Sequence, residues 1–217
     1  MARQKTNAPS QPLTLARPLP PAPRRATIER QTRETAIRGT LVVDGSGQAQ
    51  VATGVSFLDH MLEAFARHGF FDLTLEASGD LAVDDHHTVE DVGIVLGRAF
   101  ADALGARAGI RRFGDASVPL DEALVTAVVD FGGRAYLRYG LEFKHERVGQ
   151  FQTELVHDFM HALADQARMN LHLVMHAGRN PHHIIEAAFK ALARALDQAT
   201  APEPRNVGVP STKGTLT

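Results

Sequence analysis

The sequence predicts an α/β protein of the α+β type, built from two copies of a ββαβα-like unit in which each sheet packs against helices. Three observations predict it. The stretch His86-His87-Thr88-Val89-Glu90 returns as His182-His183-Ile184-Ile185-Glu186. Around both stretches, runs with alternating apolar residues stand beside runs with apolar residues every three to four positions, the signatures of strands and amphipathic helices. These runs follow the same order in both halves, as an internal duplication requires.

In chain order, residues 1–26 read as a disordered tail: Pro9, Pro12, Pro18, Pro20, Pro21 and Pro23 fall there, with no acidic residue before Glu29. Thr35 to Val43 is rich in β-branched residues and reads as a strand, and Asp44-Gly45-Ser46-Gly47 is turn chemistry. A second extended run leads to Val55. Phe57 to Arg67 places Leu58, Met61, Leu62 and Phe65 on one helical face, and Gly69 marks the end. Phe71 to Ala77 alternates as a strand, a polar loop follows, and a helix runs from the first HHxxE to about Leu104.

The second series matches it. Ala123 to Asp130 and Ala135 to Phe143 read as strands, Val156 to Arg168 as a helix, Asn170 to His176 as a strand, and the second HHxxE opens a helix ending near Gln198. Residues 27–118 are the expected first unit and 119–217 the second, together one catalytic domain. In this register His60 lies opposite Asp158, and Leu73-x-Leu75 falls on Leu171-x-Leu173.

Composition removes several function classes. Hydrophobic residues make up 44% of the 217, enough for a core, and the net charge of −2 gives no bulk reason for nucleic-acid binding. No run is apolar enough to span a bilayer and no secretory leader is read, so the cytoplasm is the expected location. With no cysteine, a thiolate zinc site is ruled out. Eleven histidines remain as the unusual figure.

HHxxE makes chemical sense on a helix. Positions i and i+4 share a face, so His86 and Glu90 can grip one ion, as can His182 and Glu186. The adjacent His87 and His183 point roughly 100° away and suit a different ion. Two half-sites with ligands in two directions suggest two metals placed where units or subunits meet. Imidazole plus carboxylate favours Mn, Fe, Co, Ni or Zn over Ca or Mg. HExxH zincins differ, since their Glu lies between the histidines. A lone His pair at a helix start is usually a surface feature; two pairs in matching places of a duplication favour metal binding.

Other residues are open on the sequence alone. Asp84-Asp85 would either orient imidazoles or cap the helix. Arg111, Arg112, Arg134 and Lys213 are candidate anion binders. Gly208 to Gly214, Gly-Val-Pro-Ser-Thr-Lys-Gly, reads equally as a phosphate loop or a flexible tail. His161 reads as surface, and His172 and His176 stay unassigned.

Longer stretches carry a resemblance. Among them are Gly54-Val55-Ser56-Phe57-Leu58-Asp59-His60-Met61, His68-Gly69-Phe70-Phe71-Asp72-Leu73, Gly79-Asp80-Leu81, Asp84 to Asp91, Gly109 to Gly114, Pro119 to Ala123, Asn180 to Glu186 and Pro210-Ser211-Thr212-Lys213-Gly214. Together they resemble the imidazoleglycerol-phosphate dehydratases of histidine biosynthesis, over residues 27 to 216.

The resemblance implies a lyase that removes water from D-erythro-imidazole-glycerol phosphate to give imidazole-acetol phosphate. It implies two Mn(II) per active site and a homo-oligomer of 24 subunits built from trimers. The implied ligands are His60, His86, His87, Glu90, His182, His183 and Glu186. One more comes from the helix near residue 158, where relatives carry His and this chain has Asp158 with His157 one place earlier; the repeat register favours Asp158. Glu34 is the implied acid/base, with Glu90 and Glu186 as further catalytic carboxylates. Arg112, Arg134, Ser211, Thr212 and Lys213 would hold the phosphate. A metal on the substrate imidazole would explain the ligand set, because no carbonyl acidifies the proton that is lost. A di-metal hydrolase and a non-catalytic metal store are the rival readings; the second has no use for Glu34, Arg112, Arg134 and Lys213.

Overall fold

A computed structural model describes residues 22–206 and 208–216. Two four-stranded sheets have the same strand plan. The first is formed by β1 (Arg25–Gln31), β2 (Thr35–Val42), β3 (Ala49–Ala52) and β4 (Asp72–Gly79), in the order β1-β2-β4-β3. The second is formed by β5 (Phe113–Leu120), β6 (Ala123–Asp130), β7 (Tyr136–Gly140) and β10 (Asn170–Ala177), in the order β5-β6-β10-β7. A two-stranded ribbon, β8 (Arg147–Val148) with β9 (Phe151–Gln152), projects between β7 and the next helix.

In both sheets the last pair is parallel, β3 with β4 and β7 with β10, and a helix makes the crossover. These helices are α1 (Ser56–Gly69) and α3 (Leu155–Gln166); α2 (His86–Leu104) and α4 (Pro181–Thr200) follow the fourth strands. The fold is therefore α/β and duplicated; each four-stranded sheet has one strand more than expected, and the second unit adds the β8–β9 ribbon. β1 and β5 are edge strands whose short alternation (buried Ala26 and Ile28 between exposed neighbours) is a weak signal in isolation.

Two expected boundaries change. Arg25 and Ala26 belong to β1, and Arg24 is tied to Asp44 and to the Thr200 carbonyl, so the tail is shorter than 26 residues. Residues 1–21 of that tail lie outside the described part. A division after residue 118 would cut β5, which pairs with β6 from Phe113 to Leu120; the units join in the connection before it.

The layers are sheet, helices, helices, sheet, with α2 over β1 and β2, and α4 over β5 and β6. The helices then pair crosswise: α1 of the first unit packs on α4 of the second, and α3 of the second on α2 of the first. A single hydrophobic cluster runs through all layers, with Phe65, Phe71, Phe100 and Phe131 in sequential ring contact. Burial of this shared core explains why neither unit can be removed without exposing the other.

The α2–α3 pair is close because α2 offers glycines there. A Cβ at Gly97 would lie 2.6 Å from the Leu163 carbonyl oxygen, and one at Gly93 2.7 Å from that of Phe159. That approach sets the distance between the first HHxxE and Asp158. Gly97→Val is expected to lower unfolding free energy by about 1–3 kcal/mol through overpacking, read as a lower urea midpoint.

Candidate active site

Both HHxxE stretches occupy the first turns of long helices, and capping holds them there. The Asn180 side chain accepts from the His182 N–H at 3.0 Å, with Pro181 at the first helical position. Asp84 Oδ1 accepts from the His86 N–H at 2.9 Å in the same relative place. Asp84 thus holds the backbone at the start of α2. Asp85 makes no side-chain cap; burial and the neighbouring Asp84 push its carboxyl up.

Crosswise helix pairing assembles two half-sites. In one, His60 Nε2 and His182 Nε2 lie 3.5 and 3.1 Å from the same oxygen, Glu186 Oε2. Ligand atoms of these three residues are all within 4.8 Å of one another, the one such group among the described residues. The other Glu186 oxygen pairs with Lys190 at 2.7 Å. Burial pushes the Glu186 carboxyl up, but Lys190, His182 and His60 outweigh it and hold it below the usual range. Nitrogen and carboxylate donors converging at this spacing fit a divalent ion.

The other half-site is looser. His86 Nε2 lies 3.8 Å from Glu90 Oε2, and His86 Nδ1 lies 3.5 Å from Asp158 Oδ2. Asp158 therefore occupies the place of His60, as the repeat register predicts. The two carboxylates sit on opposite edges of one ring, so the ring must turn before all three can share an ion. His157 meets the other Asp158 oxygen, Nδ1 to Oδ1 at 3.2 Å, and its ring lies against Tyr139 and stacks with His161. The Tyr139 hydroxyl is buried without a hydrogen-bond partner among the described residues, and burial together with the Asp158 charge pushes its phenol up.

His87 and His183 point away from these clusters, as the helical angle predicts. His87 Nδ1 meets the Asp80 carboxylate at 3.0 and 3.1 Å, and His183 Nδ1 meets Glu122 Oε2 at 2.8 Å. The Asp80 hydrogen bond is the largest effect holding the His87 imidazole above its usual range; the Glu34 charge adds to it. Backbone N–H groups of Asn180 and Arg179 also donate to Glu122, and Asn180 with His183 draws its carboxyl down to about 2. The sequence reading assigned no role to Asp80, Glu122 or Lys190. Each sits in or beside a quoted stretch, but the pairing with histidine depends on sheet geometry, which spacing does not reveal.

Glu34 lies at the exposed β1–β2 turn. Asp91 of α2 fixes that turn, accepting from Thr35 Oγ1 at 2.5 Å and pairing with Arg30 at 2.9 Å. This brings Glu34 within the electrostatic reach of His87.

The candidate anion binders form a separate group. Arg112, Arg134, Ser211, Thr212 and Lys213 line one cavity of about 520 Å³. Asp130 orients the Arg112 guanidinium, accepting from Nε at 2.6 Å and from the second terminal nitrogen at 3.1 Å, while the Pro210 carbonyl accepts at 2.7 Å. The segment 208–214 is thereby folded against Arg112, which favours the loop reading over the tail. His176 bonds Thr126 at 2.8 Å and His172 lies against Tyr136, both away from the half-sites. Among the described residues no helix is long and apolar enough to cross a membrane.

The two groups sit at opposite ends of α4. The Arg112 N–H bonds the Ala199 carbonyl, whereas His182 is in the first turn. At 1.5 Å per residue they are about 25 Å apart along the helix.

Known proteins match this chain in sequence and fold. The family model for imidazoleglycerol-phosphate dehydratase matches residues 53–196. The imidazoleglycerol-phosphate dehydratase of Halalkalibacterium halodurans is 58% identical over 193 residues, covering 89% of this chain and all of that one. That of Bacillus subtilis is 53% identical over the same share of this chain and 100% of its own. The crystal structure of the Staphylococcus aureus dehydratase superposes with a TM-score of 0.74 at 37% identity, covering 82% of this chain and 99% of that one. The Pyrococcus furiosus structure, solved in complex with (S)-C348, gives 0.76 at 36%, covering 87% and 99%. A family model over most of the fold, relatives aligned over their full length and solved structures of the same architecture agree: this chain belongs to the imidazoleglycerol-phosphate dehydratase family, and is an enzyme of that family.

Proposed function

We propose that this enzyme catalyses loss of water from D-erythro-imidazole-glycerol phosphate to give imidazole-acetol phosphate in L-histidine biosynthesis, using two Mn(II) ions per active site. The observation that carries the metal reading is the convergence of His60, His182 and Glu186 from two repeat units on one point. A fold needs no such cluster of partly exposed imidazoles for stability. His86, Glu90 and Asp158 supply the related half-site, and His87 and His183 each offer Nε2 in another direction, that of His183 3.8 Å from Asp121 Oδ2. Bound Mn(II) supplies Lewis acidity to the substrate imidazole and a hold on the hydroxyls.

The chain's own residues divide the remaining work. Arg112, Arg134, Ser211, Thr212 and Lys213 bind the phosphate and so fix the reacting end. Glu34, exposed beside His87, moves the proton of the carbon next to the one that loses its hydroxyl. Loss of that proton and that hydroxyl leaves an enol, which becomes the ketone of the product. Arg112→Ala should lower kcat/KM about 10–100-fold, the worth of a charge-assisted contact, measured by steady-state kinetics.

A three-carbon chain separates ring from phosphate in the substrate, far shorter than the 25 Å or so between the two groups along α4. A single chain therefore cannot offer both groups to one substrate molecule. This supports an active site shared between subunits, within a cytoplasmic homo-oligomer of 24 chains built from trimers. Formation of imidazole-acetol phosphate by Mn(II)-loaded protein tests the reading; no turnover of that substrate would overturn it.

A further inference from the structure

The two repeats meet the second histidine of each HHxxE with carboxylates from different places, and this difference has a functional meaning. Leu41 stands opposite Leu73 as Val129 stands opposite Leu171, so the β1–β2 and β5–β6 hairpins are in register. Counting back along β2 and β6 brings Thr35 onto Ala123 and Glu34 onto Glu122, each the residue just before its strand. Leu73 falls on Leu171, but the bulge between Met175 and Ala177 shifts the register by one, so Asp80 of the first unit falls on Arg179 of the second.

The second unit has Arg179 there, and no carboxylate at that place to meet His183. Its hairpin residue Glu122 does so instead, at 2.8 Å, while accepting from two backbone N–H groups at 2.8 and 3.1 Å. In the first unit Asp80 meets His87. Glu34, the counterpart of Glu122, is left at the turn, where its carboxylate makes no hydrogen bond among the described residues and acts on His87 through charge alone.

We propose that Asp80 and Glu122 are the positioning residues for His87 and His183, and that Asp80 releases Glu34 from this task so that the same hairpin position serves the substrate in one repeat and the metal ligand in the other. A carboxylate on Nδ1 fixes the tautomer with Nε2 free, sets the ring plane and raises the basicity of Nε2 toward a metal. The proposal rests on the metal reading above.

The test measures Mn(II) affinity by chelator competition in the full-length assembly, beside turnover. Asp80→Ala and Glu122→Gln should weaken Mn(II) binding about 10–100-fold. Asp80→Asn keeps an acceptor oxygen at the same place and should lose less than Asp80→Ala. Glu34→Gln should bind Mn(II) like the wild type and lose turnover. Circular dichroism of each metal-free variant checks that the fold is kept. Wild-type protein that binds no Mn(II) would overturn the metal reading. Wild-type binding with unimpaired Asp80→Ala and Glu122→Gln would overturn the positioning roles alone. Equal loss of affinity in Glu34→Gln and Glu122→Gln would overturn the division of labour between the repeats.

Discussion

Glu186→Gln should abolish most activity, with a drop in kcat of about 10³-fold or more and loss of one class of bound metal. The magnitude follows from removing a charged ligand whose ion is asked for several kcal/mol of transition-state stabilisation. Gln has nearly the volume of Glu, so the packing of α4 on α1 is preserved. The charge is what disappears, at a point where two imidazoles lie 3.5 and 3.1 Å from one oxygen. Lys190, now facing an amide, adds an uncompensated positive charge beside the ion. Glu90→Gln should be severe for the same reason, but its half-site is less converged before the ion binds. A Glu186→Gln enzyme with wild-type rate and metal content would remove Glu186 from the ligand set.

Removal of metal should take the assembly apart. His87 and His183 turn away from the half-sites built within the chain, each held by a carboxylate on Nδ1. Neither histidine belongs to a group of three converging donors among the described residues, so each suits an ion completed by another subunit. Chelation should then convert the large species to smaller units in sedimentation velocity, and Mn(II) should rebuild it. Sedimentation unchanged by chelation, in protein shown to be metal-free, would count against metals at the interface.

Much of this was legible in the sequence because local physics wrote it there. The i to i+4 pairing of His182 with Glu186 and the strand at β6 depend only on near neighbours. The position of Asp158 beside His86 was also readable, because duplication turns a long-range contact into an alignment. Less readable were the edge strands β1 and β5, which bury one face over a short length and take their order from β2 and β6. The crosswise pairing of α1 with α4 was hidden as well, so the sequence offered no reason to place His60 in the second repeat's half-site. Asp80 and Glu122 were hidden by the same kind of distance. Their partners are histidines seven and sixty-one positions away, joined by the fold of each sheet edge.

One active site is expected to draw metal ligands and phosphate binders from different chains. Subunit complementation tests it most directly. His182→Ala removes a metal ligand and leaves the Arg112 cavity intact; Arg112→Ala does the reverse. Each purified variant should be far less active than the wild type. When the two are dissociated with chelator, mixed and reassembled with Mn(II), sites that join intact ligands of one chain to the intact cavity of another should restore activity well above the sum of the two. Activity of the reassembled mixture equal to that sum would show that each chain supplies its own complete site.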